Sequence, residues 1–223
     1  MATPAQQERG SGPGRVLDTV VFDLGGVLAD WDPRYLYRTL FDDEAAMEVF
    51  LATVCTPEWN HAMDAGRDRA EAVAELVAAH PGHADLIRAW VDRWDEMLGG
   101  EITGTGEVLA ELDAAGARLL ALTNWSAETF PVARERFPSF ARFDAIVVSG
   151  EHGLAKPDPA LYRVLVDRHG LAFERSAYVD DRPENVAVAT ELGMTGVVFT
   201  DAPSLRATLV GLGLLPGPVP GRP

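Results

Sequence analysis

Lysine is nearly absent from this chain: of 19 basic residues in 223, only Lys156 is a lysine and the other 18 are arginines. Where arginine serves every general surface role, a single retained ammonium marks a place that needs a compact point charge rather than a planar guanidinium, unless it survived by chance. Asparagine is also scarce, at Asn60, Asn124 and Asn185. Cysteine is reduced to Cys55, which excludes an intramolecular disulfide, and nothing near it resembles a zinc ligand set. A chain of this length buries enough surface to fold without either device, and a lone cysteine fits a reducing, cytoplasmic setting. No uncharged apolar run approaches the roughly 18 residues that span a bilayer, and Met1 to Gly14 has no apolar signal-peptide core, so no membrane partner is expected. Positive charge is lacking as well. The net charge is -15 with no basic patch to offset it, which repels nucleic acid phosphates and anionic lipid alike.

What is present describes one globular unit with an insertion. Apolar residues make up 47% and charged residues 24%. Residues 1–14 and 211–223 are rich in glycine, proline or polar residues and are expected to be mobile. Between them, short apolar runs alternate with helical patterns, the mark of an α/β fold around a parallel sheet. The strands are expected at Thr19 to Phe22, Arg118 to Leu122, Ala145 to Val148, Ala177 to Val179 and Gly196 to Phe199. Helices are expected at Gly106 to Ala114, Glu128 to Phe137, Pro159 to His169 and Pro183 to Leu192. Residues 15–32 and 102–210 therefore read as the core. Residues 33–101 carry helical periods at Glu44 to Val54, Arg69 to His80 and Ala84 to Met97, with no strand, and read as an inserted all-helical subdomain too long to be a loop.

In open parallel sheets, ligands sit at the carboxyl ends of the strands. The first strand leads to Asp23 in VVFDLGGVL, the second to Thr123 and Asn124 in ALTNWS, the third to Lys156 in GLAKPDP, and the fourth to Asp180 and Asp181 in YVDDRPEN. Singly, each has an ordinary explanation. Asp23 ends a strand before a glycine turn, Thr123 and Asn124 are turn residues, and Asp181 with Glu184 makes a capping box for the helix from Pro183. Jointly, they bring carboxylates, a hydroxyl and an ammonium to one edge. Crowded carboxylates stay ionised beside a divalent cation, and an oxygen-only ligand set indicates Mg²⁺.

FDLGGVL, LTN, KPDP and VDD in this order resemble the haloacid dehalogenase (HAD) superfamily, over about Val16 to Thr200. The resemblance implies a HAD-like Rossmannoid core with an inserted helical C1 cap, in subfamily I. It also implies an Mg²⁺-dependent phosphatase for a small phosphorylated metabolite, with Asp23 as the nucleophile that forms an aspartyl phosphate. Thr123 would hold the transferring group beside the Asn124 backbone amide, Lys156 would neutralise charge, and Asp181 and the Gly25 carbonyl would join Asp23 around the metal. Gly26 falls among the substrate contacts, and Asp180 and Asn185 read as supports for Asp181.

One position departs from the pattern. Most phosphatases of the family carry a second aspartate, a general acid and base, two positions after the nucleophile, where this chain has Gly25. Glycine offers a carbonyl but moves no proton. The DLGGVL form resembles a branch that includes sugar phosphatases, with Asp30 or Asp32 as a proton donor or simply a turn residue before Pro33. The segment Glu58 to Arg67 occupies the place of the family's specificity loop. Its Asn60, His61 and Asp64 are candidates to meet a sugar hydroxyl, or else form an exposed helix end. Trp31, Trp59 and Trp125 sit beside these segments and are candidates to wall a pocket.

Two other functions use the same residues. A 2-haloacid dehalogenase attacks carbon with the same aspartate and needs no metal, but such enzymes usually place an aromatic residue at the Gly25 position and lack the double aspartate. A non-catalytic phospho-ligand module has no need of a nucleophile, so Asp23, Lys156 and Asp181 argue against it. A monomer or homodimer is expected.

Overall fold

The computed structural model describes residues 17–217, so Met1 to Gly14 lies outside the described residues. Seven strands occur in chain order: β1 (Thr19–Phe22), β2 (Ala29–Trp31), β3 (Leu98–Glu101), β4 (Arg118–Thr123), β5 (Ala145–Val148), β6 (Ser176–Asp180) and β7 (Thr195–Val198). Five of them form a parallel sheet in the order β5-β4-β1-β6-β7. Their uncharged apolar runs suit a sheet covered on both faces. Alternation sends Val20, Phe22, Ala121 and Val179 to one face, and Val21, Leu120, Leu122 and Tyr178 to the other. Helices α6 (Thr105–Ala114), α7 (Phe130–Arg136) and α10 (Ala202–Gly211) pack on the first face, and α8 (Pro159–His169) and α9 (Pro183–Glu191) on the second.

The strand order places the site. β1 lies between β4 and β6, with Phe22 opposite both Ala121 and Val179. Residues leaving these three strands therefore emerge side by side at the carboxyl edge, as expected for an open α/β sheet.

Between β2 and β3 the chain forms α1 (Arg34–Tyr37), α2 (Glu44–Thr53), α3 (Pro57–Asp64), α4 (Arg69–Ala79) and α5 (Ala84–Asp92). Asp43, Thr56 and Asp68 cap three of these by accepting backbone N–H bonds at the first turn. Tyr37, Met47, Phe50, Met63, Ile87 and Trp90 are buried beneath them.

Several elements differ from expectation. β3 pairs antiparallel with β2 and closes the insertion at its base, where no strand is apparent from the sequence. The LGGE segment has no apolar alternation, and its pairing depends on a partner nearly 70 residues away. A β-carbon at Gly99 would press on the Asp30 carboxylate and the Tyr35 ring, so any larger residue there would have to displace these side chains. The segment from Glu58 is mostly helix α3 rather than a loop, and Ala84 to Met97 breaks at Arg93 into a short 3₁₀ turn. The chain beyond Gly211 is not free up to residue 217: Leu214 and Leu215 are only 1% and 4% exposed, and their N–H groups donate to the Leu209 carbonyl. No helix among the described residues is long and apolar enough to cross a membrane.

Burial of Leu214 gives a direct test. Leu214→Ala should cost about 2–5 kcal/mol in urea unfolding, whereas a mobile tail would show no change.

Candidate active site

Asp23 is the first residue beyond β1. Its N–H donates to the Val179 carbonyl at 2.8 Å, which keeps it in strand register, and its carboxylate accepts the Leu24 N–H at 2.7 Å. The chain then turns sharply, with the Leu28 and Ala29 N–H groups donating to the Leu24 carbonyl. Gly26 makes this turn at φ +74°, and a β-carbon on it would run into the Asp181 carboxylate. Gly25 is different: no atom lies within 4 Å of where its β-carbon would be.

The Lys156 side chain enters from the loop after β5 and is 2% exposed as a residue. Its Nζ lies 2.8 Å from both Asp23 Oδ2 and Asp180 Oδ2. Asn124 fixes the lysine backbone, accepting the Lys156 N–H at 2.8 Å and donating Nδ2 to the Lys156 carbonyl at 3.0 Å. Asp180 also accepts from the Tyr178 hydroxyl (2.7 Å), the Arg182 N–H (2.9 Å) and Asn185 Nδ2 (3.0 Å). Asp180 and Asn185, expected to support Asp181, thus orient Lys156 instead.

Asp181 does not form the expected capping box. Helix α9 has Arg182 at its N-cap with no side-chain cap bond, and Glu184 pairs with the Arg182 guanidinium at 2.7 Å. The Asp181 carboxylate lies against Gly26 on the active edge, away from the helix start.

The charges are strongly coupled. Burial pushes the Asp23 carboxyl up to about 7, against the pull of Lys156 and helped by Asp180. Burial alone would lower the Lys156 ammonium, but Asp23 and Asp180 hold it above its ordinary value. Burial opposes ionisation of Asp180 too, yet Lys156 and the Tyr178 hydroxyl keep it below the usual carboxylate range. Asp181 is raised by burial and by Asp180. Asp23, Asp180 and Asp181 offer oxygens within 4.8 Å of one another, a donor set suited to a hard divalent cation. Thr123 ends β4, fully buried, with its hydroxyl unpartnered among the described residues.

A cavity of about 830 Å³ runs from Asp23, Lys156 and Asp181 into the insertion. Asn60, His61 and Asp64, on α3, line it; Asn60 donates to Asp64 at 2.9 Å, and burial lifts Asp64 to about 7. Asp30 and Asp32 line it as well, but Asp30 accepts the Tyr35 hydroxyl at 2.6 Å and Asp32 pairs with Arg34 at 3.2 Å. Trp31 and Trp125 are in the lining and Trp59 is not: its Nε1–H donates to the Ala72 carbonyl. Trp90 and Trp94 take its place. Their apolar spacing reads as helix core, and no local signal separates a core ring from a cavity wall.

The raised Asp23 carboxyl predicts a pH effect on stability without metal. An acid that titrates higher in the folded state makes stability fall as pH rises from about 4 to 7, and the loss is complete above that. In EDTA, Asp23→Asn should therefore raise the melting temperature at pH 8 and change it little at pH 4, since Lys156 keeps Asp180 as partner. Equal shifts at both pH values would rule out a raised Asp23.

Residues 17–193 match the family model of haloacid dehalogenase-like hydrolases. The chain is 27% identical over 183 residues to a sesquiterpene phosphatase of Aspergillus oryzae, covering 82% of this chain and 89% of that one. It is 26% identical over 185 residues to a phosphoglycolate phosphatase of Vibrio cholerae, covering 78% and 80%. A HAD family enzyme of Bacteroides thetaiotaomicron, solved with magnesium and inorganic phosphate, shares the fold at a TM-score of 0.62 and 19% identity, over 83% of this chain and 95% of that one. The matched segment contains the whole lysine–aspartate cluster and the insertion, and the chain belongs to the haloacid dehalogenase-like hydrolases, a family in which these sequence relatives are phosphatases.

Proposed function

We propose that the protein is an Mg²⁺-dependent phosphatase that hydrolyses a small phosphate monoester through an aspartyl phosphate on Asp23, with residues 33–101 acting as a C1 cap of subfamily I. The observation that carries this reading is the Lys156 ammonium held 2.8 Å from both Asp23 and Asp180, at the edge where Asp181 also presents its carboxylate. A binding module gains nothing from a nucleophile buried at such electrostatic cost. Attack on carbon, as in a dehalogenase, has no use for three clustered carboxylates.

In the proposed reaction an Asp23 oxygen attacks phosphorus in line, the bond from phosphorus to the ester oxygen breaks, and the departing alkoxide takes a proton from water. Water then attacks phosphorus, releasing phosphate and restoring the Asp23 carboxylate. Lys156 places positive charge beside the equatorial oxygens, where charge is spread in the transition state. The unpartnered Thr123 hydroxyl is a donor for one of those oxygens. Asp23, Asp181 and the Gly25 carbonyl are the groups that would hold magnesium, which supplies further positive charge to the phosphoryl oxygens when bound. Asn124 and Asp180 act as positioning residues through Lys156.

Release of phosphate from p-nitrophenyl phosphate should require Mg²⁺ and stop with EDTA. Asp23→Asn should lower it by about 10⁴-fold or more, and Lys156→Arg should fail nearly as badly as Lys156→Ala, since a guanidinium does not fit between two carboxylates spaced for an ammonium. Undiminished turnover in Asp23→Asn would remove Asp23 as nucleophile.

Gly25→Asp tests the missing acid. A β-carbon at Gly25 meets no atom within 4 Å, so the variant should speed alkyl phosphates by up to about 10²- to 10⁴-fold and change aryl phosphates little. An equal effect on both types, measured as kcat, would show that proton donation does not limit the native enzyme.

A further inference from the structure

Resting on the phosphatase reading, we propose that the ester's leaving group is a bulky, uncharged and apolar alcohol, seated against the tryptophans of the cavity. The chain has five tryptophans. Four of them, Trp31, Trp90, Trp94 and Trp125, line the cavity that begins at Asp23, and the fifth, Trp59, packs edge-on against Trp90 at 5.5 Å. Trp94 and Trp125 meet at 5.8 Å and 63°, and Trp31 and Trp90 at 6.0 Å and 68°. Such edge-to-face pairs fix one another's orientation, so the apolar wall is formed before anything binds and little ordering cost remains. Leu51 and Cys55 line the same space.

Charge excludes a second anionic group on the substrate. Every arginine or lysine in the lining already has a carboxylate partner: Arg34 with Glu48, Arg182 with Glu184, and Lys156 with Asp23 and Asp180. The acidic residues Asp30, Asp32, Glu58 and Asp64 line the same space. A leaving group with its own carboxylate or phosphate would meet these without a free arginine or lysine to receive it.

Several groups that would meet a sugar's hydroxyls are already bonded within the protein, Asn60 to Asp64, Asp30 to Tyr35 and Asp32 to Arg34, while the indole N–H groups of Trp31, Trp90 and Trp125 have no partner among the described residues and can meet a lone ester or ether oxygen. The cavity, about 830 Å³, lies in the upper part of the range that encloses drug-sized ligands, so a phosphate with a two-carbon acid would leave most of it unfilled. An apolar leaving group fills it against the tryptophan rings.

The test is a series of n-alkyl phosphates from ethyl to decyl, below micelle formation, with Mg²⁺. Leaving-group acidity hardly changes along the series, so only burial varies. Expected is a rise in kcat/KM of up to roughly fourfold per added methylene, to values above those for glucose 1-phosphate and phosphoglycolate. A flat series, or a polar ester that surpasses the decyl ester, overturns the proposal. Ala52→Glu, at an exposed lining position where folding is not at risk, and Leu51→Gln should both flatten the series; a slope unchanged in Ala52→Glu counts against it. A separate arm titrates 1-octanol, which carries no phosphate, while following tryptophan emission. Saturable binding with no turnover of any ester would sink the phosphatase reading and leave the apolar site standing. Turnover with a flat series and no octanol binding would do the reverse.

Discussion

The buried ammonium of Lys156, shared between Asp23 and Asp180, is the interaction on which the site depends. Three charges in so little space are expensive to desolvate, and such a group contributes little net stability compared with an apolar replacement of the same shape. Its retention is therefore understood through chemistry. It keeps a carboxylate ready at the end of the central strand and places positive charge where phosphoryl oxygens would lie. The surrounding contacts serve this arrangement: Asn124 clamps the lysine backbone on both sides, while Tyr178, Asn185 and the Arg182 N–H hold Asp180 still.

The insertion is joined to this edge rather than merely placed above it. The Ser149 hydroxyl accepts the Trp125 N–H and donates to the Asp64 carbonyl, tying α3 to the loops after β4 and β5. The Asp64 carboxylate also accepts the Ser126 N–H. The cavity's tryptophans come from both sides, Trp125 from the loop after β4 and Trp90 and Trp94 from the insertion.

Gly25 stands two residues after Asp23, with no atom outside its chain neighbours within 4 Å of where a β-carbon would be. Asp30 and Asp32, the neighbouring acids, are bonded to Tyr35 and Arg34, while Asp64 sits across the cavity with its carboxyl raised toward neutrality. In the proposed reaction Asp23 and Lys156 would serve as nucleophile and counter-charge, and the position two residues after Asp23 holds no side chain.

The parallel sheet and the meeting of Asp23, Thr123, Lys156 and Asp181 at one edge are dictated by local sequence. Buried strands are continuous apolar runs, and strand order gathers the residues at their carboxyl ends into one place. The lone Lys156 was legible for the same reason, as a charge type used nowhere else. Other features depended on partners far along the chain. The pairing of Leu98–Glu101 with Ala29–Trp31, the burial of Leu214, the turning of Asp181 toward Gly26 in place of the α9 cap, and the service of Asp180 to Lys156 leave no periodic signal. The tryptophans are the clearest case. Periodicity places Trp90 and Trp94 on an apolar helical stretch, but whether a ring fills a core or walls a cavity depends on the space left between two packed parts of the chain, which no short segment encodes.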